Sequence, residues 1–89
     1  YDNAFIIIRY DNEPICSIIL KMKEYRGNEK KAVLLGADME KAYRGKHIFS
    51  YAIRQIAQMC PVEIPLKKVL PEYKDMVNHL LTFDNVLAG

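Results

Sequence analysis

Between Ala32 and Val69 the spacing of apolar residues changes twice, and this double change limits the fold more than any other feature of the 89-residue chain. From Ala32 to Met39 (AVLLGADM) the run is mostly apolar through its first half, as expected of a strand covered on both faces. From about Gly45 to Cys60 the residues Phe49, Ala52, Ile53, Ile56 and Cys60 stand at i, i+3, i+4, i+7 and i+11. That spacing lines one face of a helix and turns Arg54, Gln55 and Gln58 away from it. Pro61 ends the helix, because a residue before proline avoids helical dihedrals. Val62 to Val69 (VEIPLKKV) then reads as a strand again, made irregular by Pro65, which cannot donate to a ladder. Strand, helix and strand in this order predict a βαβ unit with parallel strands and a right-handed crossover.

The flanking segments complete the order. Ala4 to Tyr10 (AFIIIRY) is β-branched and aromatic and reads as a strand. Asp11 to Pro14 carries turn chemistry, and a second strand follows from Ile15 to about Glu24. In it Cys16, Ile18, Leu20 and Met22 share one face while Ser17, Lys21 and Lys23 share the other, so the two strands predict an antiparallel hairpin with one buried face. Arg26 to Glu29 makes the next turn. Gly36, in the middle of the third strand, marks a bulge or a close approach to the backbone. After Pro71 a second helix is expected from Glu72 to Thr82, with Met76, Val77 and Leu80 inward, and Phe83 to Ala88 closes the chain as a short strand. The expected fold class is α/β (α+β, mixed sheet), ordered β-β-β-α-β-α-β, in one domain over residues 1–89.

Composition excludes several classes. An apolar fraction of 51% with 27% charged residues is that of a chain with a core, not of a disordered one. A net charge of +2 is too balanced for bulk capture of nucleic acid or membrane, so neither is expected as a partner. The longest apolar runs fall far below spanning length, and no signal-peptide pattern opens the chain. Cys16 and Cys60 are two separated residues in apolar settings and read as reduced thiols of a cytoplasmic protein. A disulfide or a catalytic thiol is the alternative. His47 and His79 have no partner at ligand spacing, and no metal is expected. The first residue is Tyr1, which leaves a fragment or a processed chain open.

The turn before the first helix carries the functional information. The first N–H groups of a helix lack internal partners, and the helix dipole adds positive potential there, so an anion is a natural guest. Arg44 and Lys46 add two cations around Gly45. Taken alone, the turn is a weak signal and reads first as a solvated cap. The segment MEKAYRGKHIFSYAI resembles the diphosphate loop of the GNAT superfamily of acyl-CoA N-acyltransferases, V-x-P-x-Y-R-G-K-G-I-G-x-x-L. Met39 falls at the valine, Tyr43, Arg44, Gly45 and Lys46 match outright, and Ile48 matches the apolar position. The segment from Val62 to Gly89 is similar to the strand, helix and closing strand that follow in that family. His47 and Phe49 stand where the family has small residues, and Leu80 or Leu81 stands where it has a tyrosine.

The resemblance implies acyl transfer, acetyl in the first instance, from acetyl-CoA to a small-molecule or protein amine by direct attack. It implies a coenzyme site made by the backbone of Ala37 and Met39 and by Arg44, Gly45, Lys46, His47, Ile48 and Phe49. One backbone N–H would polarise the thioester oxygen. Asp38 and Glu40 are then the candidate bases, and His79 or Tyr73 the candidate acid. Each has an ordinary reading beside the catalytic one, as solvated carboxylates and as helix-surface residues. Lys67 and Lys68 either meet the 3′-phosphate or are solvated. The family's first strand and first two helices have no counterpart before Tyr1, and a homodimer would cover the edge and core thereby exposed. Two other readings stay open: a GNAT-like coenzyme-binding or protein-interaction module without catalysis, and an unrelated small α/β binding domain.

Overall fold

In a computed structural model, which describes residues 3–89, five strands form one sheet in the order β1-β2-β3-β4-β5. β1 (Asn3–Tyr10) and β2 (Glu13–Glu24) are antiparallel, and β2 is antiparallel to β3 (Lys30–Met39). The hairpin turn is tighter than Asp11 to Pro14. Asp11 and Asn12 both take positive φ, 54° and 67°, as a two-residue primed turn requires, so Glu13 and Pro14 already pair with Tyr10 and Arg9. Cys16, Ile18 and Leu20 are buried as the alternation predicts.

α1 (Ile48–Met59) crosses from β3 to β4 (Val62–Ile64), which lies parallel to β3. α2 (Lys74–Leu80) crosses from β4 to β5 (Val86–Ala88), again parallel, which adds a second βαβ unit to the one read from the sequence. Ile53, Ile56 and Ala57 of α1 and Val77 and Leu80 of α2 join Ile18, Leu20, Val62 and Ile64 in one core cluster, so both helices cover the same sheet face. Asn85, with φ of 69°, donates its Nδ2 to the Ala57 carbonyl at 2.8 Å and thereby ties the end of α1 to the start of β5.

Three expected boundaries are corrected. The strand expected over Val62 to Val69 is only Val62–Ile64, because Pro65 cannot donate and the chain coils into a short 3₁₀ turn at Leu66–Lys68. α1 begins at Ile48, three residues after Gly45, because Gly45 and His47 both take positive φ, 78° and 62°. α2 is shortened at both ends, preceded by a 3₁₀ turn at Pro71–Tyr73, and Met76 is exposed instead of inward. Cys16 is buried and Cys60 half-buried, and neither is in a disulfide.

Candidate functional site

The short β4 is what creates the site. β3 and β4 are in register only at Ala32 with Val62 and Val33 with Glu63; beyond them β3 runs on for six residues without a neighbour on that side. The register of β2 and β3 shifts where Ile19 faces Gly36 but Leu20 faces Leu34, so Leu35 is the extra residue of a bulge beside Gly36. The bulge reverses which backbone groups look sideways. Ala32 donates to Pro61, toward β4, whereas Glu40 donates to Ile15 of β2. Backbone groups alternate along a strand, so Ala37 and Met39 present theirs to the gap. An ideal Cβ added at Gly36 would meet nothing within 4 Å, so packing within the chain does not demand a glycine there.

The opposite wall is the turn that follows β3. After a 3₁₀ turn at Lys41–Tyr43 the chain passes through Arg44 to His47 and enters α1. Tyr43 anchors the turn by packing on the core and, tilted, on the Tyr10 ring with centroids 6.0 Å apart. Tyr51 is the first residue of the helix to donate backward, to His47. No acceptor among the described residues takes the N–H groups of Gly45 through Ser50, no side chain caps the helix, and its first turn holds no acidic residue. Arg44 donates its Nε to the Met39 carbonyl at 3.2 Å and so bridges turn and strand.

Together these elements enclose a cleft of about 680 Å³, closed on its third side by the segment from Pro65 through α2. Ala37, Asp38, Met39, Arg44, Gly45, His47, Ile48, Phe49, Tyr73 and His79 all line it. Glu40 and Lys46 are exposed outside the lining, and of the lysine pair only Lys68 reaches it. Glu40 is the last residue before the 3₁₀ turn, and its N–H pairs with the Ile15 carbonyl of β2. His47 is exposed, and the cleft stays open beside it. His79 is exposed on α2 and sits edge-on to Phe83, with ring centroids 5.1 Å apart. Leu80 is fully buried at the cleft floor, whereas Leu81, the other residue that can stand at the tyrosine position of the resemblance, is half-buried and outside the lining.

Ser50, Val69, Leu70 and Met76 also line the cleft and were not read from the sequence. Ser50 had a signal, since it stands at the third helical position once His47 is recognised as the cap. Arg44 and Lys68 give the lining its permanent cations, and Asp38 is its single carboxylate. The Cys16 thiol is pushed above its ordinary value by burial and, secondarily, by the Asp38 charge, which makes it a poor nucleophile. No group of three metal-ligating side chains gathers among the described residues.

The sheet is mixed, and its third and fourth strands part beside a basic turn and a helix start, an α/β architecture consistent with a GNAT-like fold. No protein-family model and no curated protein matches the sequence. Among solved structures the chain is similar to a possible acetyltransferase from Clostridium difficile 630, with a TM-score of 0.75 and 15% identity over 93% of this chain and 60% of that one. The chain thus spans 60% of the length of that protein, and at this identity the likeness concerns the fold. No helix among the described residues is long and apolar enough to cross a membrane.

Proposed function

We propose that this chain binds an acyl-coenzyme A between β3 and β4 and passes its acyl group to an amine. The observation that supports this best is the convergence of unpaired backbone donors from two elements on one cleft. Those of Gly45 to Ser50 suit a diphosphate, and those of Ala37 and Met39 suit the amides of an extended arm. The open space at Gly36 lets such an arm lie close to the main chain. When bound, the coenzyme supplies a thioester carbonyl activated toward attack.

The residues of the chain divide the remaining work. Arg44, held at Met39 through Nε, keeps its other guanidinium N–H groups for the diphosphate, while Lys46 contributes from outside the lining. Lys68 is the cation suited to the 3′-phosphate. An N–H beside the bulge polarises the thioester oxygen, so no particular side chain is needed for that role. Asp38 takes the proton of the attacking ammonium, and Glu40 can do so only through water. As the C–N bond forms and the C–S bond breaks, Tyr73 or His79 gives a proton to the departing sulfur. The acyl group proposed is acetyl, from acetyl-CoA, and the acceptor a small-molecule or protein amine.

Leu80 and Leu81 favour a second reading, a coenzyme-binding module without catalysis, since either one puts an aliphatic side chain, buried or half-buried, where the family pattern has its tyrosine. Two measurements test the readings, and the second separates them. Acetyl-CoA should raise the melting temperature under both, because a ligand selective for the native state stabilises it. Release of free thiol with a panel of amines should occur only under the first. A folded chain whose melting is unmoved by millimolar acetyl-CoA would refute both.

A further inference from the structure

The cleft changes character along β3. At the end nearest the turn its lining is polar: Arg44, His47 and Ser50 come from the turn and α1, and Asp38 is exposed on β3. Past Gly36, toward the end where β3 and β4 pair, the lining side chains of the two strands are Leu34, Leu35 and Ile64, none of them polar. α2 closes this end with Val77 and Leu80, which are 5% and 0% exposed. Lys68, Tyr73 and His79, the polar residues of the third wall, are all exposed. Among the described residues Asp38 is the single carboxylate of the lining, so a charged amine finds no counter-ion at the apolar end.

The bulge sets the length of that end. Leu35 is the extra residue, so Gly36, opposite Ile19, stands only two paired steps from Val33, opposite Lys21. Two steps are about 7 Å at ~3.4 Å each. At Val33 and Glu63 the strands are paired and the gap is closed. An extended backbone covers one such step with three bonds, so the same span holds about six bonds of an extended chain.

We propose that this apolar end seats an acyl chain longer than acetyl, an aliphatic group of about four to six carbons carried on the coenzyme. The inference rests on the coenzyme reading, which lays the arm along Ala37 and Met39 and puts the thioester at the bulge. The carbons after the carbonyl continue away from the diphosphate, between Leu34, Ile64 and Leu80. An acetyl methyl reaches a single bond past the carbonyl and leaves these side chains short of partner atoms, which forfeits dispersion contacts. A longer chain fills the space and withdraws its own apolar surface from water. Acetyl is then the shortest acyl group the cleft takes, and its walls favour a longer one.

Calorimetric titration of the full chain with coenzyme A and with its acetyl, butanoyl, hexanoyl and decanoyl thioesters provides the test. A fully buried methylene strengthens binding by about fourfold, so butanoyl-CoA should bind about tenfold tighter than acetyl-CoA. Decanoyl-CoA should bind no tighter than hexanoyl-CoA, which separates a cleft of fixed length from general adhesion of an apolar tail. In the unmodified chain the methyl resonances of Leu34, Ile64 and Leu80 should move with butanoyl-CoA and stay in place with coenzyme A. Leu34→Phe, which shortens the space, should cut the gain from acetyl to butanoyl to about twofold or less; the methyl spectra decide the matter if that variant fails to fold. A chain that binds none of these compounds refutes the coenzyme reading and this inference with it. Binding of coenzyme A with no gain from acetyl to butanoyl, with a gain that continues to decanoyl, or with a gain but no methyl shifts overturns this inference alone.

Discussion

Replacing Ser50 with glutamate should move stability and coenzyme affinity in opposite directions. Ser50 stands at the third position of α1, where its own N–H and those before it lack acceptors and no acidic residue offsets the dipole. A carboxylate in a first turn stabilises a helix by about 0.3–1 kcal/mol, and at the third position it can also reach back to the free N–H of the cap. For a domain of this size, about 0.5 kcal/mol corresponds to roughly 2–4 °C in melting temperature. The same carboxylate would stand among the amides assigned to the diphosphate. At about 5 Å from one phosphate charge the repulsion is about 0.8 kcal/mol in water and about 3 kcal/mol at an effective dielectric of 20. Lost amide donation adds to this, so coenzyme A should bind at least about tenfold more weakly. Circular-dichroism melting and calorimetric titration with coenzyme A read the two effects on one preparation. If Ser50→Glu gains stability and binds coenzyme A as the unmodified chain does, the diphosphate does not sit at this turn.

Gly36→Val should leave folding stability within about 0.5–1 kcal/mol, since a Cβ there meets nothing, yet weaken coenzyme A binding by about tenfold; unchanged affinity in titration would place the arm elsewhere. Asn85→Ala loses the bond to the Ala57 carbonyl, about 1 kcal/mol, and takes a left-handed φ at a further cost of about 1 kcal/mol, whereas Asn85→Gly loses only the bond. Denaturant titration should therefore rank alanine below glycine, and the reverse order would contradict the cap. Burial raises the Cys16 thiol above its ordinary 9.0, so the neutral form favours folding: that contribution is complete below pH 9.0 and is lost as pH climbs through the higher folded value. The unmodified chain should lose stability above pH 9.0 more steeply than Cys16→Val, and a thiol reagent at pH 8 should label Cys60 first; equal labelling rates would be inconsistent with that burial.

Much of the architecture could be read from periodicity because each element has one buried face with a distinct repeat. Cys16, Ile18 and Leu20 alternate, Ile53 and Ile56 recur helically, and both sets meet in one core. What escaped was set by backbone conformation and not by side-chain pattern. His47 adopts a left-handed φ that its residue type does not advertise, so the helix start was placed three residues early. Pro65 marked an irregularity, but only the three-dimensional path shows that the chain leaves the sheet there. Two consequences of that departure, the gap beside β3 and the apolar wall at Val69, Leu70 and Met76, were only partly legible. The gap was foreshadowed by Pro65 and the family resemblance. The wall carries no motif. The parallel placement of β5 depends on α2 crossing the same face as α1, and a terminal run of six residues does not specify it.

The most direct test is a titration of the nitrogen-15-labelled chain with coenzyme A, followed by amide proton–nitrogen correlation spectra. The largest shifts are expected at the amides of Gly45 to Ser50 and at those of Ala37 and Met39, saturating together with one dissociation constant. Spectra unchanged at millimolar coenzyme, or shifts confined to residues away from this cleft, would contradict the assignment of the turn as a diphosphate cradle.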